Sequence, residues 1–146
     1  MCGIFAYLND KMDNNSLQKM FEQGNNRGPE QSVSKQVNSN LFFGFHRLAI
    51  NGLNDESSQP IQYKNYTLIA NGEIFNYKSL IERHQFTMNS QSDCEVILHM
   101  YDKFGCECFK YLNGEFSFIL CDEDKVIVCR DTFGIRPLYV NESDKG

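Results

Sequence analysis

Long apolar runs are missing from this chain: its hydrophobic stretches last only a few residues, against the ~20 that a helix needs to cross a bilayer. A basic patch is missing too. Lysine and arginine number 14 against 19 acidic residues, and the net charge of -5 leaves no cationic face to replace counterions on a nucleic acid. The N-terminus has no basic flank leading into an apolar segment, so no secretory signal is expected. There is no Gly-rich phosphate cradle. His46, His84 and His99 make no HxxxH pair, and Cys106-x-Cys108 lacks a second ligand pair at zinc-finger spacing. Internal repeats, low-complexity tracts and linkers are absent as well. These absences predict a soluble, cytoplasmic protein that binds neither nucleic acid, membrane nor metal.

What is present fits one globular domain over residues 1–146, with 41% hydrophobic and 23% charged residues. A chain of this length buries roughly 70% of the surface that its unfolded form exposes. Of six cysteines, five read as inert thiols of a reducing compartment. Cys121 and Cys129 lie in strand-like runs, where a thiol is a small apolar side chain. Cys2 is the exception, because of where it sits.

Along the chain, Cys2 to Leu8 predicts a buried strand. Asn14 or Asn15 caps a short helix with Leu17, Met20 and Phe21 on one face, stopped by Gly24. Asn25 to Ser32 reads as loop, Leu41 to Ile50 as strand, and Asn51 to Gln62 as a long loop. Tyr66 to Ala70 is a strand broken by Asn71-Gly72. Ser92 to Phe104 predicts a helix with Val96, Ile97, Met100, Tyr101 and Phe104 as its apolar stripe and Ser92-x-x-Glu95 as a capping box. A short helix follows over Glu107 to Leu112. Glu115 to Cys121 and Val126 to Arg130 then form a hairpin turning at Asp122–Lys125. Strands at both ends with helices between predict an α+β fold.

A cysteine at position two is chemically unusual. A thiol attacks only as thiolate, and an unperturbed one is mostly protonated at neutral pH. If Met1 is removed, Cys2 carries its own α-amine, whose pKa of ~7.7–8 suits a general base. Nucleophile and base then belong to one residue. A chance cysteine is the plain alternative, and the rest of the sequence weighs against it. In order come Arg27-Gly28-Pro29-Glu30, His46-Arg47-Leu48-Ala49-Ile50, Gln59-Pro60 and Asn71-Gly72-Glu73-Ile74-Phe75-Asn76. Then follow Ser92-Asp93-Cys94-Glu95-Val96-Ile97-Leu98-His99, Leu112-Asn113-Gly114-Glu115-Phe116, and Arg130-Asp131-Thr132-Phe133-Gly134-Ile135-Arg136-Pro137-Leu138-Tyr139. This ordered set, opening with Met-Cys-Gly-Ile, resembles the glutaminase domain of glutamine-hydrolysing asparagine synthetases, class II glutamine amidotransferases of the N-terminal-nucleophile fold. The resemblance runs from Cys2 to about Tyr139.

The resemblance implies an αββα sandwich of two antiparallel sheets flanked by helices, and an enzyme that hydrolyses L-glutamine to glutamate and ammonia through a Cys2 thioester. It implies that Arg47 holds the substrate carboxylate, a two-pronged geometry that lysine cannot reproduce. Asp93 matches the acid for the ammonium, with Glu73 a second polar contact. The Asn71 side chain and Gly72 N–H match an oxyanion hole, although Asn-Gly after a strand is also the strongest local hairpin signal. Leu48, Ala49, Ile50 and Asn51 match the loop lining the glutamine pocket. Arg27, Gly28 and Pro29 read as structural or gating, Gln59 and Pro60 as shaping the loop above the site. Arg130, Asp131, Gly134 and Arg136 read as architectural. No cofactor is expected for glutamine hydrolysis. Members of that family continue into further strands and a synthetase domain that receives the ammonia and uses ATP and magnesium, so a C-terminally shortened domain is expected here. A catalytically idle structural or regulatory copy is the alternative. Against it, such a copy has no chemical reason to hold Cys2, Arg47, Asn71, Gly72, Glu73 and Asp93 together.

Overall fold

The computed structural model describes residues 2–9, 11–48, 57–123 and 125–142. Strand β1 (Gly3–Leu8) leads into helix α1 (Asn14–Glu22), a 3-10 turn (Asn25–Arg27), and strands β2 (Gln31–Asn38) and β3 (Leu41–Arg47). These strands form an antiparallel sheet in the order β1-β3-β2. Next come β4 (Ile61–Tyr63), β5 (Tyr66–Ile74), α2 (Tyr77–His84), α3 (Glu95–Phe104), a 3-10 segment (Gly105–Tyr111), β6 (Gly114–Asp122) and β7 (Lys125–Arg130). The second sheet is also antiparallel, in the order β4-β5-β6-β7.

Strand alternation sorts the side chains into layers. On β3, Leu41, Phe43 and Phe45 pack with Ile69 of β5 and with Ile119 and Cys121 of β6, so the sheets face each other across an apolar interlayer. The opposite side of the second sheet, with Leu68, Ala70, Ile74, Phe116, Phe118 and Leu120, packs on α2 and α3 through Leu80, Val96, Ile97, Met100 and Tyr101. Leu17 and Phe21 of α1 cover Tyr7 and Phe42 on the outer face of the first sheet. The order is helix, sheet, sheet, helices: the expected αββα sandwich of an α+β domain.

Several local expectations need correcting. β2 falls in a stretch with little apolar pattern; it is an exposed edge strand held by its ladder to β3 rather than by burial. β5 does not break at Asn71-Gly72. Those residues pair with Ser117 and Phe116, and the ladder continues to Ile74. The glycine serves close approach instead: at φ +155°, a Cβ there would lie 2.1 Å from the Glu115 carbonyl oxygen. Asp13, not Asn14 or Asn15, caps α1, its carboxylate accepting the Asn15 and Ser16 N–H groups at 3.0 Å each. Ser92 and Glu95 form no capping box, since the Glu95 carboxylate turns back to Asn89 and Ser90. Helix α2, with only Leu80 fully buried, carried too short an apolar stripe to be foreseen. The predicted helix over Glu107 to Leu112 is 3-10 over Gly105–Tyr111. The predicted long loop ends earlier, at the edge strand β4. The β6–β7 hairpin turns where expected, with Asp122 paired to Lys125.

Candidate active site

The alternation that builds the interlayer also delivers polar groups to one end of it. On β3, Arg47 follows Leu41, Phe43 and Phe45 on the inward face; on β5, Asn71 and Glu73 follow Ile69. Cys2 precedes Ile4 and Ala6 on the same inward face of β1. Gly3 is paired with His46, so one step further along the antiparallel register brings Cys2 beside Arg47. A cavity at this end of the sandwich is lined by Cys2, Arg47, Leu48, Asn71, Gly72, Glu73 and Asp93, all of them expected site residues. Ala49, Ile50 and Asn51 lie outside the described residues. The Cys2 thiol sits against the Leu48 backbone, with Sγ 3.4 Å from its carbonyl oxygen and 3.5 Å from its nitrogen.

Gly72 turns its N–H away from β6, toward the β4 edge of β5, for a topological reason. Its cross-strand partner Phe116 spends its N–H on the Asp131 carboxylate (3.2 Å) and accepts the Asp131 N–H at its carbonyl (2.7 Å). The Phe116 peptide groups thus point toward β7, and the Gly72 amide opposite points away from β6. Two residues earlier, on the same edge, both backbone groups of Ala70 are taken by the Gln59 side chain, at 2.5 and 3.1 Å. Gln59 therefore ends the edge pairing beside the cavity, and the Gly72 N–H is the next donor along. The Arg27-Gly28-Pro29-Glu30 loop braces the other wall. A Cβ on Gly28 would come within 2.2 Å of the His46 carbonyl oxygen, and the Glu30 N–H donates to Arg47 O at 3.2 Å. His46 itself is structural. Its ring stacks on Phe21 at 4.0 Å, Nε2 donates to Phe21 O at 2.8 Å, and Nδ1 lies 2.8 Å from Ser32 Oγ. With both nitrogens engaged there, no imidazole reaches Cys2 from this position.

Comparison with known proteins is decisive. A family model described as a glutamine amidotransferase domain matches residues 1–146. The chain belongs to this family. It is similar to the glutamine-hydrolyzing asparagine synthetases of Mesocricetus auratus (40% identical over 160 residues) and Homo sapiens (38% over 160). Both alignments cover 100% of this chain and 27% of the relative. A probable glutamine-hydrolyzing asparagine synthetase of Acanthamoeba polyphaga mimivirus is 37% identical over 150 residues, covering 95% of this chain and 27% of its own length. The chain thus spans about a quarter of the curated relatives it matches.

Within this amidotransferase domain the electrostatics of the acidic wall are lopsided. Asp93 is buried and accepts the Ile74 N–H at 2.7 Å. Burial raises its pKa above the ordinary 3.8, the Ile74 bond partly offsets that, and the nearby Glu73 charge pushes it further up. A carboxylate so placed is short of positive charge, and an ammonium would supply it. Cys94 also lines the cavity, but burial pushes its thiol well above the ordinary value, so it is no second nucleophile.

Arg136 goes beyond the architectural role read from sequence, since it also lines the cavity. Its guanidinium pairs with Glu115, and its Nε is buried without a partner among the described residues. Asp131 does hold the architecture. It gathers the N–H groups of Phe116, Phe133, Ile135 and Arg136 at 3.0–3.2 Å, and these donors outweigh burial to hold its carboxyl below the usual range. Ser57 and Ser92 line the cavity as well. Ser57 carried no signal in its local sequence, and Ser92 was marked only as a helix cap and as part of an ordered motif; both reach the site through loop packing. Among the described residues no group of three or more His, Cys, Asp or Glu could hold a metal ion, and no helix is long and apolar enough to cross a membrane.

Proposed function

We propose that the domain hydrolyses L-glutamine to L-glutamate and ammonia through a γ-glutamyl thioester on Cys2. With Met1 removed, the Cys2 α-amine takes the thiol proton and Sγ attacks the side-chain amide carbon. The carbonyl oxygen becomes an oxyanion between the Asn71 side-chain amide and the Gly72 N–H. The amine returns its proton to the departing nitrogen, the C–N bond breaks and ammonia leaves. Water, deprotonated by the same amine, then attacks the thioester; its C–S bond breaks, and glutamate and free thiol result. Arg47 pairs with the substrate α-carboxylate, and Asp93 with Glu73 holds the α-ammonium. The observation that carries this reading is the convergence of Cys2, Arg47, Asn71, Gly72, Glu73 and Asp93 on one cavity from three strands and one helix start. By analogy with the relatives' names, we read the ammonia as destined for an amide-forming synthetase unit, where ATP would be used.

The test pairs intact mass with ammonia release from L-glutamine. Protein beginning at Cys2 should be active. A form with an uncleavable N-terminal tag should fold and be silent, because a peptide nitrogen is no base, and removing a cleavable tag should restore turnover. Equal activity in tagged and processed forms would overturn the proposal.

A further inference from the structure

Glu95 does not line the cavity, yet its carboxylate is buried, 1% exposed, and both its oxygens are spoken for. Oε1 accepts the Asn89 N–H at 2.8 Å and lies 3.2 Å from His99 Nε2; Oε2 accepts the Ser90 N–H at 2.7 Å and the Ser90 hydroxyl at 2.6 Å. Ser90 Oγ accepts the Ser92 N–H at 3.2 Å, and Ser57 Oγ accepts the Gln91 N–H at 3.2 Å. Four successive amides, Asn89 to Ser92, thus have side-chain oxygens as their partners, two of them from one carboxylate.

The helix does not require this carboxylate as a cap. The N–H groups of Glu95, Val96 and Ile97 already reach the carbonyls of Ser92, Asp93 and Cys94. We infer that Glu95 is a positioning residue, clamping the loop ahead of α3 so that Ser92 and Asp93 are held at the ammonium end of the glutamine pocket. The inference rests on the proposed function for the identity of the substrate. The clamp is anchored from behind, because the His99 ring is flanked by Tyr63 at 4.1 Å and Phe86 at 5.3 Å. It ends at Asp93, whose Oδ2 is fixed by the Ile74 N–H. A buried carboxylate that loses its donors is costly, so the loop cannot swing away without leaving Glu95 unpaired. Asp93 is thereby preset for a cation before any substrate arrives.

In Glu95→Gln an amide NH₂ must face donors that the carboxylate accepted. The KM for L-glutamine should rise about tenfold while kcat stays within about twofold, and the part-exposed Ser90→Ala should raise KM about threefold. Hydrogen exchange at the amides of Asn89 to Ser92 should quicken in both variants, with the β5 amides unchanged. Should Glu95→Gln fail to fold, Ser90→Ala carries the same readouts. Unchanged exchange at those amides overturns the clamp whatever the activity. Faster exchange with an unchanged KM, or a fall in kcat alone, overturns the positioning role. Exchange needs no substrate, so a wild-type protein silent toward glutamine overturns the proposed function and leaves the clamp to be judged on exchange.

Discussion

The thiol of Cys2 rests on the Leu48 peptide at 3.4–3.5 Å, and in the proposed mechanism its base is its own α-amine. Each cavity residue then has a separable kinetic signature. Asn71→Ala should lower kcat by about 10²–10³ with KM little changed, since an oxyanion donor acts in the transition state; steady-state ammonia release would show a KM effect alone if Asn71 only binds substrate. Arg47→Lys should raise KM instead, because a point charge replaces a planar fork at the carboxylate. Asp93 adds a pH dependence. Its pKa is raised by burial, and only the ionised form attracts an ammonium, so the affinity of the Cys2→Ala variant for L-glutamine, which does not depend on the base, should fall with decreasing pH in a window displaced above 3.8. A pH profile with its acid limb at or below that value would contradict the assignment.

At the scale of elements, the two corrections that matter most have opposite causes. Asn71-Gly72 carries a strong turn signal, yet the flanking residues keep pairing with β6, and tertiary pairing overrides local preference. β2 carries almost no signal because an edge strand can be polar on both faces and still complete a ladder. Glycines at the site are placed by contact between elements. Gly28→Ala would push a methyl group into the His46–Arg47 backbone from 2.2 Å, so a loss of about 1–3 kcal/mol is expected in denaturant unfolding, together with a raised KM as Arg47 shifts. Gly72→Ala should cost as much or more and abolish turnover, because its Cβ would meet the Glu115 carbonyl. A stable and active Gly72→Ala protein would show that the β5–β6 approach is looser than described.

For the whole molecule, acid stability offers a sharp test. Burial alone would raise the Glu95 pKa, but hydrogen bonds from His99, Ser90 and Asn89 outweigh it and bring the value from 4.5 to about 2. A depressed folded-state pKa contributes stability that is present above about 4.5 and lost as pH falls toward about 2, here at most about 3 kcal/mol. The slope of unfolding free energy across that window should flatten in Glu95→Gln. The sequence by itself determined the α+β class, the strand alternation and the ordered motifs that mark the family, and it singled out Cys2 as the nucleophile proposed here, because these depend on residue type and spacing along the chain. Only the tertiary structure decided that Gln59 and Asp131 take the backbone groups around Gly72 so that its amide faces away from β6, that Arg136 joins the cavity, that His46 is spent on Phe21 and Ser32, and that Glu95 grips a loop rather than a helix end. Those outcomes depend on which backbone groups find partners across distant segments, and hydrogen-bond pairing of that kind is settled when the sheets and helices pack.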